Sequence, residues 1–420
     1  SKAGVTATGG VSVDLVNSLA TGIGKASVFI AGTGQVERLI GTAGSDTMRG
    51  TNKTNYFDGG VSGNDIFDVS ALANATVVGS ASGQNTLKFH DMTTGVQVDF
   101  TNETYLAETT IAGKFSNITT LNATAYADKI LLGSISINVD AGAGDDTINA
   151  GTAGAKIIAG DGLNRVFATS ATADNTAYSI TGGGDSDIIT VGRGVFTIQG
   201  NAGSSNTGES DLIIVDSSAT SGSTYQINGG TKSEIRLGLG SSTVTGGTGN
   251  DTIVAGDGDA TIVGNGGNDR ITLGAGLANV STGSGDDTIA AGAGAAIIAA
   301  GNGNNTITAM SALADATSYS IAGEAGNDTI TVGRGNFIIN GNDANETIIV
   351  DSSATAGSKY SITGGLTNNI TLGLGSATVT GGTGNDTIVA GAGNATISGN
   401  GGDDSITLGS GLSSVTTGSG

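Results

Sequence analysis

The chain of 420 residues contains no cysteine, no proline and a single histidine, His90. Without cysteine the protein forms no disulfide, a composition that suits the cytosol and the cell exterior equally. A zinc protease site of the His-Glu-x-x-His type needs two histidines and is excluded within this chain, and a Ser-His-Asp triad would have to use His90. We interpret His90 as an ordinary, partly exposed side chain, and we predict that the chain is not an enzyme.

Basic residues are also scarce: 16 Lys and Arg face 37 Asp and Glu, which gives a net charge of −21. A protein of this charge repels the phosphate backbone, so we expect no binding to nucleic acid. No apolar run approaches the roughly 18 residues that a membrane span requires, and we find no signal peptide. We therefore expect no insertion into a membrane.

The chain is rich in glycine, with 75 residues, and it spaces its apolar β-branched residues regularly. Between residues 247 and 308 such a residue recurs at every ninth position. The series is Ile253, Ile262, Ile271, Val280, Ile289, Ile298 and Ile307. A unit of this length suits a tight glycine-rich turn followed by a short strand on which the β-branched residue is buried.

An acid precedes every second residue of this series, at Asp251, Asp269 and Asp287, whereas the intervening positions hold alanine, as at Ala260. Two units therefore form one coil, and the acid recurs at every eighteenth position. Coils that stack about 4.8 Å apart place the acids in single file along one edge. Such a file of carboxylates repels itself unless cations bind between the coils. The pattern predicts an all-β fold, a parallel β-solenoid (β-roll) with one acidic flank.

The nine residues from Gly246 to Val254 match the pattern Gly-Gly-x-Gly-x-Asp-x-apolar-x in full. In this motif the chain resembles the RTX family of secreted bacterial proteins, which carry calcium-binding nonapeptide repeats. The resemblance implies that turn carbonyls and Asp carboxylates of successive coils hold Ca²⁺. It also implies export in one step, folding outside the cell, and a C-terminal export signal beyond Gly420. The family's usual roll has Asp on both flanks, whereas one flank here lacks it, so we predict a one-sided calcium ladder.

The acid series extends over much of the chain, with the weakest candidates near the N-terminus. The candidate calcium ligands are Asp46, Asp65, Asp128, Asp146, Asp187, Asp211, Asp251, Asp269, Asp287, Asp328, Glu346, Asp386 and Asp404. Asn164 and Asn305 stand at acid positions, where we expect weak binding or none. In an alternative interpretation each Asp only hydrogen-bonds its own turn. If several Ca²⁺ ions bind and neutralise the charge, binding and folding become one event.

Longer repeats indicate internal duplication: Gly144–Ile148 recurs at Gly285–Ile289, and Val215–Ser218 recurs at Val350–Ser353. The second offset is shorter than the first, and the difference localises to an insertion between Gly200 and Asp211. Breaks in the ninth-position rule at 169–180 and 309–321 predict longer excursions. We divide the chain into a degenerate solenoid or capping region (1–127), a first repeat module (128–245), a second module (246–380) and the start of a third (381–420).

Three functional hypotheses follow. The favoured one is a secreted, calcium-dependent structural protein of the cell surface, a building block of a surface layer, filament or adhesin. Its expected partners are further copies of itself, in a homopolymer or lattice, and cell-surface polysaccharide. The alternative is a calcium-folding export module of a secreted enzyme or toxin. A minor alternative is ice binding, because outward threonines such as Thr288, Thr306 and Thr329 flank the buried isoleucines, although Arg270 interrupts their file.

Overall fold

The computed structural model describes residues 11–14, 19–22, 27–31, 35–50, 56–70, 74–90, 92–108, 111–201, 209–342 and 344–419. The predicted insertion between Gly200 and Asp211 falls largely on residues 202–208, outside the described residues. The chain divides into two compact units, Ser1–Ser204 and Ser205–Gly420.

All regular elements of the described residues are β-strands. Within the described residues no helix is long and apolar enough to cross a bilayer. The strands of the first unit are β1 (Val11–Asp14), β2 (Leu19–Gly22), β3 (Ser27–Ala31), β4 (Gln35–Ile40), β5 (Thr47–Arg49), β6 (Tyr56–Asp58), β7 (Ile66–Ser70), β8 (Thr76–Val78), β9 (Thr86–His90), β10 (Gln97–Asp99), β11 (Thr104–Ala107), β12 (Ile111–Ser116), β13 (Thr120–Asn122), β14 (Lys129–Leu131), β15 (Ile137–Asp140), β16 (Thr147–Asn149), β17 (Ala155–Ile158), β18 (Arg165–Ala168), β19 (Ala177–Gly183), β20 (Ile188–Val191) and β21 (Val195–Asn201).

The strands of the second unit are β22 (Asp211–Val215), β23 (Thr224–Asn228), β24 (Ser233–Arg236), β25 (Ser241–Gly247), β26 (Thr252–Val254), β27 (Ala260–Gly266), β28 (Arg270–Thr272), β29 (Ala278–Ser284), β30 (Thr288–Ala290), β31 (Ala296–Ala299), β32 (Thr306–Ala309), β33 (Ser318–Ala322), β34 (Thr329–Val332), β35 (Asn336–Asn340), β36 (Thr347–Val350), β37 (Lys359–Thr363), β38 (Asn369–Thr371), β39 (Ser376–Gly382), β40 (Thr387–Val389), β41 (Ala395–Asn400), β42 (Ser405–Thr407) and β43 (Ser413–Thr416).

Each coil of the second unit contributes one strand to each of two parallel sheets. Odd-numbered strands from β23 to β43 form one sheet and even-numbered strands from β22 to β42 form the other. In the regular coils each residue pairs with the residue eighteen positions later: Ile262 pairs with Val280, and Ile271 pairs with Ile289. The predicted parallel β-solenoid and its eighteen-residue coil are confirmed.

The core of these coils lies between the two sheets. The predicted β-branched residues point inward, and Ile253, Ile271, Ile289 and Ile307 have no exposed surface. Burying a side chain of this size stabilises the folded state by about 1.5–3 kcal/mol. Strands as short as three residues therefore hold their register through one inward side chain each.

Some coils are longer than the regular ones because the turn between the two sheets contains an excursion. Ile307 pairs with Ile330 across the excursion at 310–317, so this coil is five positions longer than its neighbours. In the longer coils an aromatic ring replaces the inward alanine of the regular coils, and the rings of Tyr319 and Phe337 stack 4.7 Å apart. The sequence predicted the excursions but not the stacked rings in the core beside them.

The first unit follows the same rule from β13 onward, with parallel pairs such as β14 with β16. Upstream, β5, β7 and β9 also pair in parallel, but four pairs are antiparallel: β1 with β2, β3 with β4, β10 with β11, and β11 with β12. The irregular coils predicted for this region therefore include hairpins, which the sequence did not indicate.

His90 ends β9, and its environment differs from our expectation. Its side chain is buried, and Nδ1 lies 2.8 Å from Oδ1 of Asp68. The prediction of a partly exposed histidine was wrong, because β9 packs beside β7 and Ser70 aligns with His90 in the parallel register.

Candidate metal centre

The turn that leads from an odd-numbered strand into the next even-numbered strand carries the acid of each regular coil. In the turn from β29 to β30, Gly283 and Gly285 have φ values of 101° and 132°, which disfavour any residue with a Cβ atom. These two glycines reverse the chain so that Asp287 enters the core side of the turn. Asp287 is consequently buried, with 1% of its surface exposed.

One carboxylate oxygen of each such acid bonds to the neighbouring coil. The backbone N–H of Asp251 donates to Oδ1 of Asp269 at 2.8 Å, and the N–H of Asp269 donates to Oδ1 of Asp287 at 2.7 Å. The same bond joins Asp128 to Asp146 in the first unit, at 2.7 Å. The acids therefore form ladders parallel to the stacking direction, as their spacing of one acid per coil predicted.

The second carboxylate oxygen has no hydrogen-bond donor at many of these acids, although it is buried. A buried Oδ2 atom without a donor occurs in Asp65, Asp146, Asp251, Asp269, Asp287, Asp328, Asp386 and Asp404. A buried polar atom without a partner costs about 1–3 kcal/mol, and more when it carries charge. These turns therefore favour a bound cation or a proton at Oδ2.

Backbone carbonyl oxygens lie beside these carboxylate oxygens. A Cβ atom on Gly246 would lie 2.5 Å from Oδ2 of Asp251 and 3.1 Å from the carbonyl oxygen of Gly264 in the next coil. The first glycine of the motif thus leaves room where a carboxylate of one coil and a carbonyl of the next converge. Carboxylate and carbonyl oxygens are the ligands that Ca²⁺ prefers.

Nowhere in the described ranges do three acidic, histidine or cysteine side chains gather into a metal-binding cluster. Each turn supplies one acid of the ladder, so backbone oxygens would have to complete the coordination of a cation. On the opposite flank the equivalent inward positions hold Ala260 and Ala296, which are buried. That flank is not free of Asp as predicted, because Asp257 and Asp259 lie in the turn before β27, but both are exposed. The donor set fits an oxygen-preferring cation between coils, on one flank.

Burial raises the pKa of the ladder carboxyl groups. It raises the pKa of Asp146 to about 8, and neighbouring carboxylates, chiefly Asp128, add to the effect. The pKa of Asp269 rises to about 7 for the same reasons, and burial raises the pKa of Asp251 and of Asp328 to about 6. Near neutral pH the most strongly shifted of these sites therefore hold a proton unless a cation replaces it.

Two predicted ligands have a different environment, because threonine replaces the second glycine of their turns. Thr124 donates its backbone N–H to Oδ2 of Asp128 at 2.8 Å, and its hydroxyl lies 2.9 Å from Oδ1. Thr42 donates its backbone N–H to Asp46 in the same way, at 2.6 Å. At these two turns the contacts fit the alternative interpretation, in which the carboxylate bonds to its own turn.

The remaining predicted ligands are also buried, with at most 1% of their surface exposed: Asp187 and Glu346 lie in ladder turns, and Asp211 is the first residue of β22. Glu346 carries one more methylene group than the aspartates at equivalent positions.

An outer ladder, which the sequence analysis missed, runs beside the buried one. Asn268 donates its backbone N–H to Oδ1 of Asn250 at 2.8 Å, and Asp286 donates to Oδ1 of Asn268 at 2.9 Å. These bonds run opposite to those of the buried ladder, so the coils here are tied to their neighbours in both directions. The signal was present, because an Asn or Asp directly precedes most of the ladder acids.

The family model described as RTX calcium-binding nonapeptide repeat (4 copies) matches six segments of the chain, residues 32–67, 138–154, 238–276, 279–310, 323–352 and 380–412. The protein carries RTX repeats. The matched segments contain most of the ladder acids but not Asp128, Asp187 or Asp211. A search of curated proteins found no match.

Proposed function

We propose that this RTX-repeat protein is an extracellular structural protein, a building block of a surface layer, filament or adhesin, which folds and assembles when it binds several Ca²⁺ ions. The observation that carries the proposal is the row of buried Oδ2 atoms without a donor, repeated from coil to coil. A chain with a net charge of −21 cannot bury that many ionised carboxylates without a counter-ion.

Folding outside the cell is supported by the chemistry of these sites. Extracellular calcium modules typically bind with a Kd of about 10⁻⁴–10⁻³ M, a concentration range found outside cells rather than in the cytosol. The same weak sites leave the chain unfolded until it is exported. Calcium-coupled folding of this kind suits a protein that crosses a secretion channel as an extended chain.

A structural role is supported by the duplicated coils and by apolar side chains on the surface of the second unit. Ile297 on β31 and Ile338 on β35 are 59% and 63% exposed, and Leu277 in the turn before β29 is 62% exposed. Exposed apolar groups on one face favour association with another surface. We propose that further copies of the chain, in a homopolymer or lattice, cover this face and that cell-surface polysaccharide is a second partner.

Calcium titration of the metal-free chain tests the proposal, with circular dichroism for folding and light scattering for assembly. We expect a cooperative gain of β-structure at millimolar calcium, followed by growth of large particles. Magnesium serves as the control, because its demand for near-octahedral coordination fits a flexible carbonyl-rich turn poorly. No change with calcium would contradict the proposal.

The second candidate is a calcium-folding export module of a secreted enzyme or toxin. An export module would contain the same calcium ladder, but its function would not require self-association. A gain of β-structure that leaves a monodisperse monomer in the same titration would favour it over the structural role.

Ice binding is a minor candidate that one observation favours. Thr306 aligns with Thr329 on adjacent strands, and Thr308 aligns with Thr331 beside them, so hydroxyl groups form two registered columns. Arg270 stands in the first column and is exposed. Measurement of thermal hysteresis in calcium-saturated protein tests this candidate, and its absence would remove it.

A further inference from the structure

Several positions of the buried ladder hold a neutral residue in place of the acid. In the second unit they are Ser233, Asn305 and Asn368, and in the first unit they include Asn164. Asn164 and Asn305 are related by the longer offset of the internal duplication, and Ser233 and Asn368 are related by the shorter one. Both repeat modules therefore contain neutral positions at equivalent places.

Asn305 keeps the ladder bond and adds contacts that no carboxylate can make. Its Oδ1 accepts the backbone N–H of Asp287 at 3.0 Å, as an aspartate would. Its Nδ2 donates to the carbonyl oxygen of Gly303 at 3.1 Å and lies 3.4 Å from that of Gly301. The amide hydrogens thus point at the carbonyls of its own turn. Nδ2 is the side-chain atom of Asn305 that corresponds to Oδ2 of Asp287, which is buried without a donor.

Asn164 in the first unit makes the same set of bonds. Its Oδ1 accepts the N–H of Asp146 at 3.0 Å, and its Nδ2 donates to the carbonyls of Gly160 at 3.0 Å and Gly162 at 3.1 Å. The two asparagines belong to different units and have the same contacts, so the arrangement belongs to the turn and not to one local environment.

The other two neutral residues bond forward to the next acid. The hydroxyl of Ser233 donates to Oδ1 of Asp251 at 2.9 Å. Nδ2 of Asn368 donates to Oδ1 of Asp386 at 2.7 Å and to the carbonyl oxygen of Gly381 at 3.0 Å. At both positions a protein donor faces oxygens of the kind that calcium would bind.

We propose that these neutral residues are calcium-independent rungs, in which an amide or hydroxyl donor takes the place of the cation, and that they divide each calcium ladder into short blocks. The inference rests on the proposed function only in taking calcium as the ion. In the second unit one block consists of Asp251, Asp269 and Asp287, between Ser233 and Asn305. Blocks of two or three carboxylates limit the repulsion between like charges about 4.8 Å apart, and each fills independently of the next.

Substitution of Asn305 by Asp tests the proposal. In Asn305→Asp the turn loses its amide donors and gains a carboxylate, so we expect the folded protein to bind one calcium ion more per chain, by native mass spectrometry. We also expect the calcium midpoint of folding to rise, because a turn that closed without metal now requires it. Asn304→Asp is the matched control: it adds the same charge one residue away, on the exposed outer ladder, and should leave the calcium count unchanged.

The reverse substitution, Asp269→Asn, should bind one calcium ion fewer and fold at an equal or lower calcium midpoint. If Asn305→Asp does not fold, Asp269→Asn still tests the proposal: a clear rise in the calcium midpoint of folding of Asp269→Asn would overturn it. An unchanged calcium count in both variants would also overturn it. Failure of the wild-type chain to bind calcium at all would instead refute the proposed function, so the two outcomes are distinguishable.

Discussion

Buried carboxylates near the N-terminus and in the regular coils have different neighbours. Asp46 receives backbone and hydroxyl hydrogen bonds from Thr42 and lies in a region whose core contains large rings, such as Phe57 and Phe67, 6.3 Å apart. Asp269 receives one bond from the preceding coil, and the core around it is built from isoleucine and valine. Around Asp46 the carboxylate is satisfied by protein donors and the core contains aromatic rings, whereas Asp269, like Asp65, leaves a buried carboxylate oxygen that a cation would satisfy.

The largest expected effect is that of removing calcium. With EDTA we expect residues 247–308 to lose their β-structure, because their carboxylates then remain buried without a donor. Residues 56–122 should retain more protection. Hydrogen exchange resolved by segment measures the difference, and equal loss in both segments would refute the comparison.

Next in size is the effect of pH on the metal-free chain. The folded-state pKa values of Asp146 and Asp269 are raised from 3.8 to about 8 and about 7, so the folded state binds more protons than the unfolded chain between these values. The stability that protonation contributes is fully present below pH 4 and is lost as pH rises through 7 to 8. We expect acid to induce β-structure without metal, by circular dichroism.

The same shift makes calcium binding depend on pH in the opposite sense. A proton and a cation compete for the same carboxylate oxygen, so the affinity for calcium should fall as pH drops from 8 to 6. Isothermal titration calorimetry at several pH values would show this, together with release of protons at pH 7. A constant affinity over this range would contradict the raised pKa values.

A smaller effect distinguishes the two kinds of acid. Asp269→Ala should lower the calcium count by one and raise the calcium midpoint of folding. Asp46→Ala should leave the calcium count unchanged and destabilise the protein by about 1–3 kcal/mol, because the donors of Thr42 lose their acceptor. Native mass spectrometry and urea unfolding at saturating calcium separate these outcomes. A lost calcium ion in Asp46→Ala would show that this acid is also a ligand.

The smallest expected effect is that of Thr124→Val. The variant loses the hydroxyl bond to Asp128 and the hydroxyl oxygen that accepts the N–H of Tyr126, but it keeps the backbone N–H bond to the same carboxylate. A loss of about 0.5–1.5 kcal/mol is expected in urea unfolding. The calcium count should not change.

The coil length and the acidic flank could be predicted from the sequence, because one inward residue per short strand and one acid per coil leave a period that is visible by counting. Burial of Asp251 and its alignment with Asp269 follow from that period. The sequence could not show which carboxylates lack a donor, because that depends on which backbone N–H and hydroxyl groups reach Oδ2, as those of Thr124 reach Asp128. The side-chain orientation by which Nδ2 of Asn164 donates to the carbonyls of its own turn cannot be read from the spacing of residues either.

The antiparallel hairpins and the stacked rings were missed for a related reason. Strand β11 pairs in antiparallel orientation with both β10 and β12. No sequence repeat marks these pairs. The rings of Tyr319 and Phe337 stand at positions that hold alanine in regular coils, and they follow the excursion at 310–317. Periodicity predicts what repeats and says little about interruptions.

The most direct test of the calcium ladder is a crystal structure of the calcium-loaded protein with an anomalous difference map. We predict density for an ion beside Oδ2 of Asp251, Asp269 and Asp287, and none in the turns of Asn305 and Asp46. Ordered turns without ion density beside those three carboxylates would contradict the account.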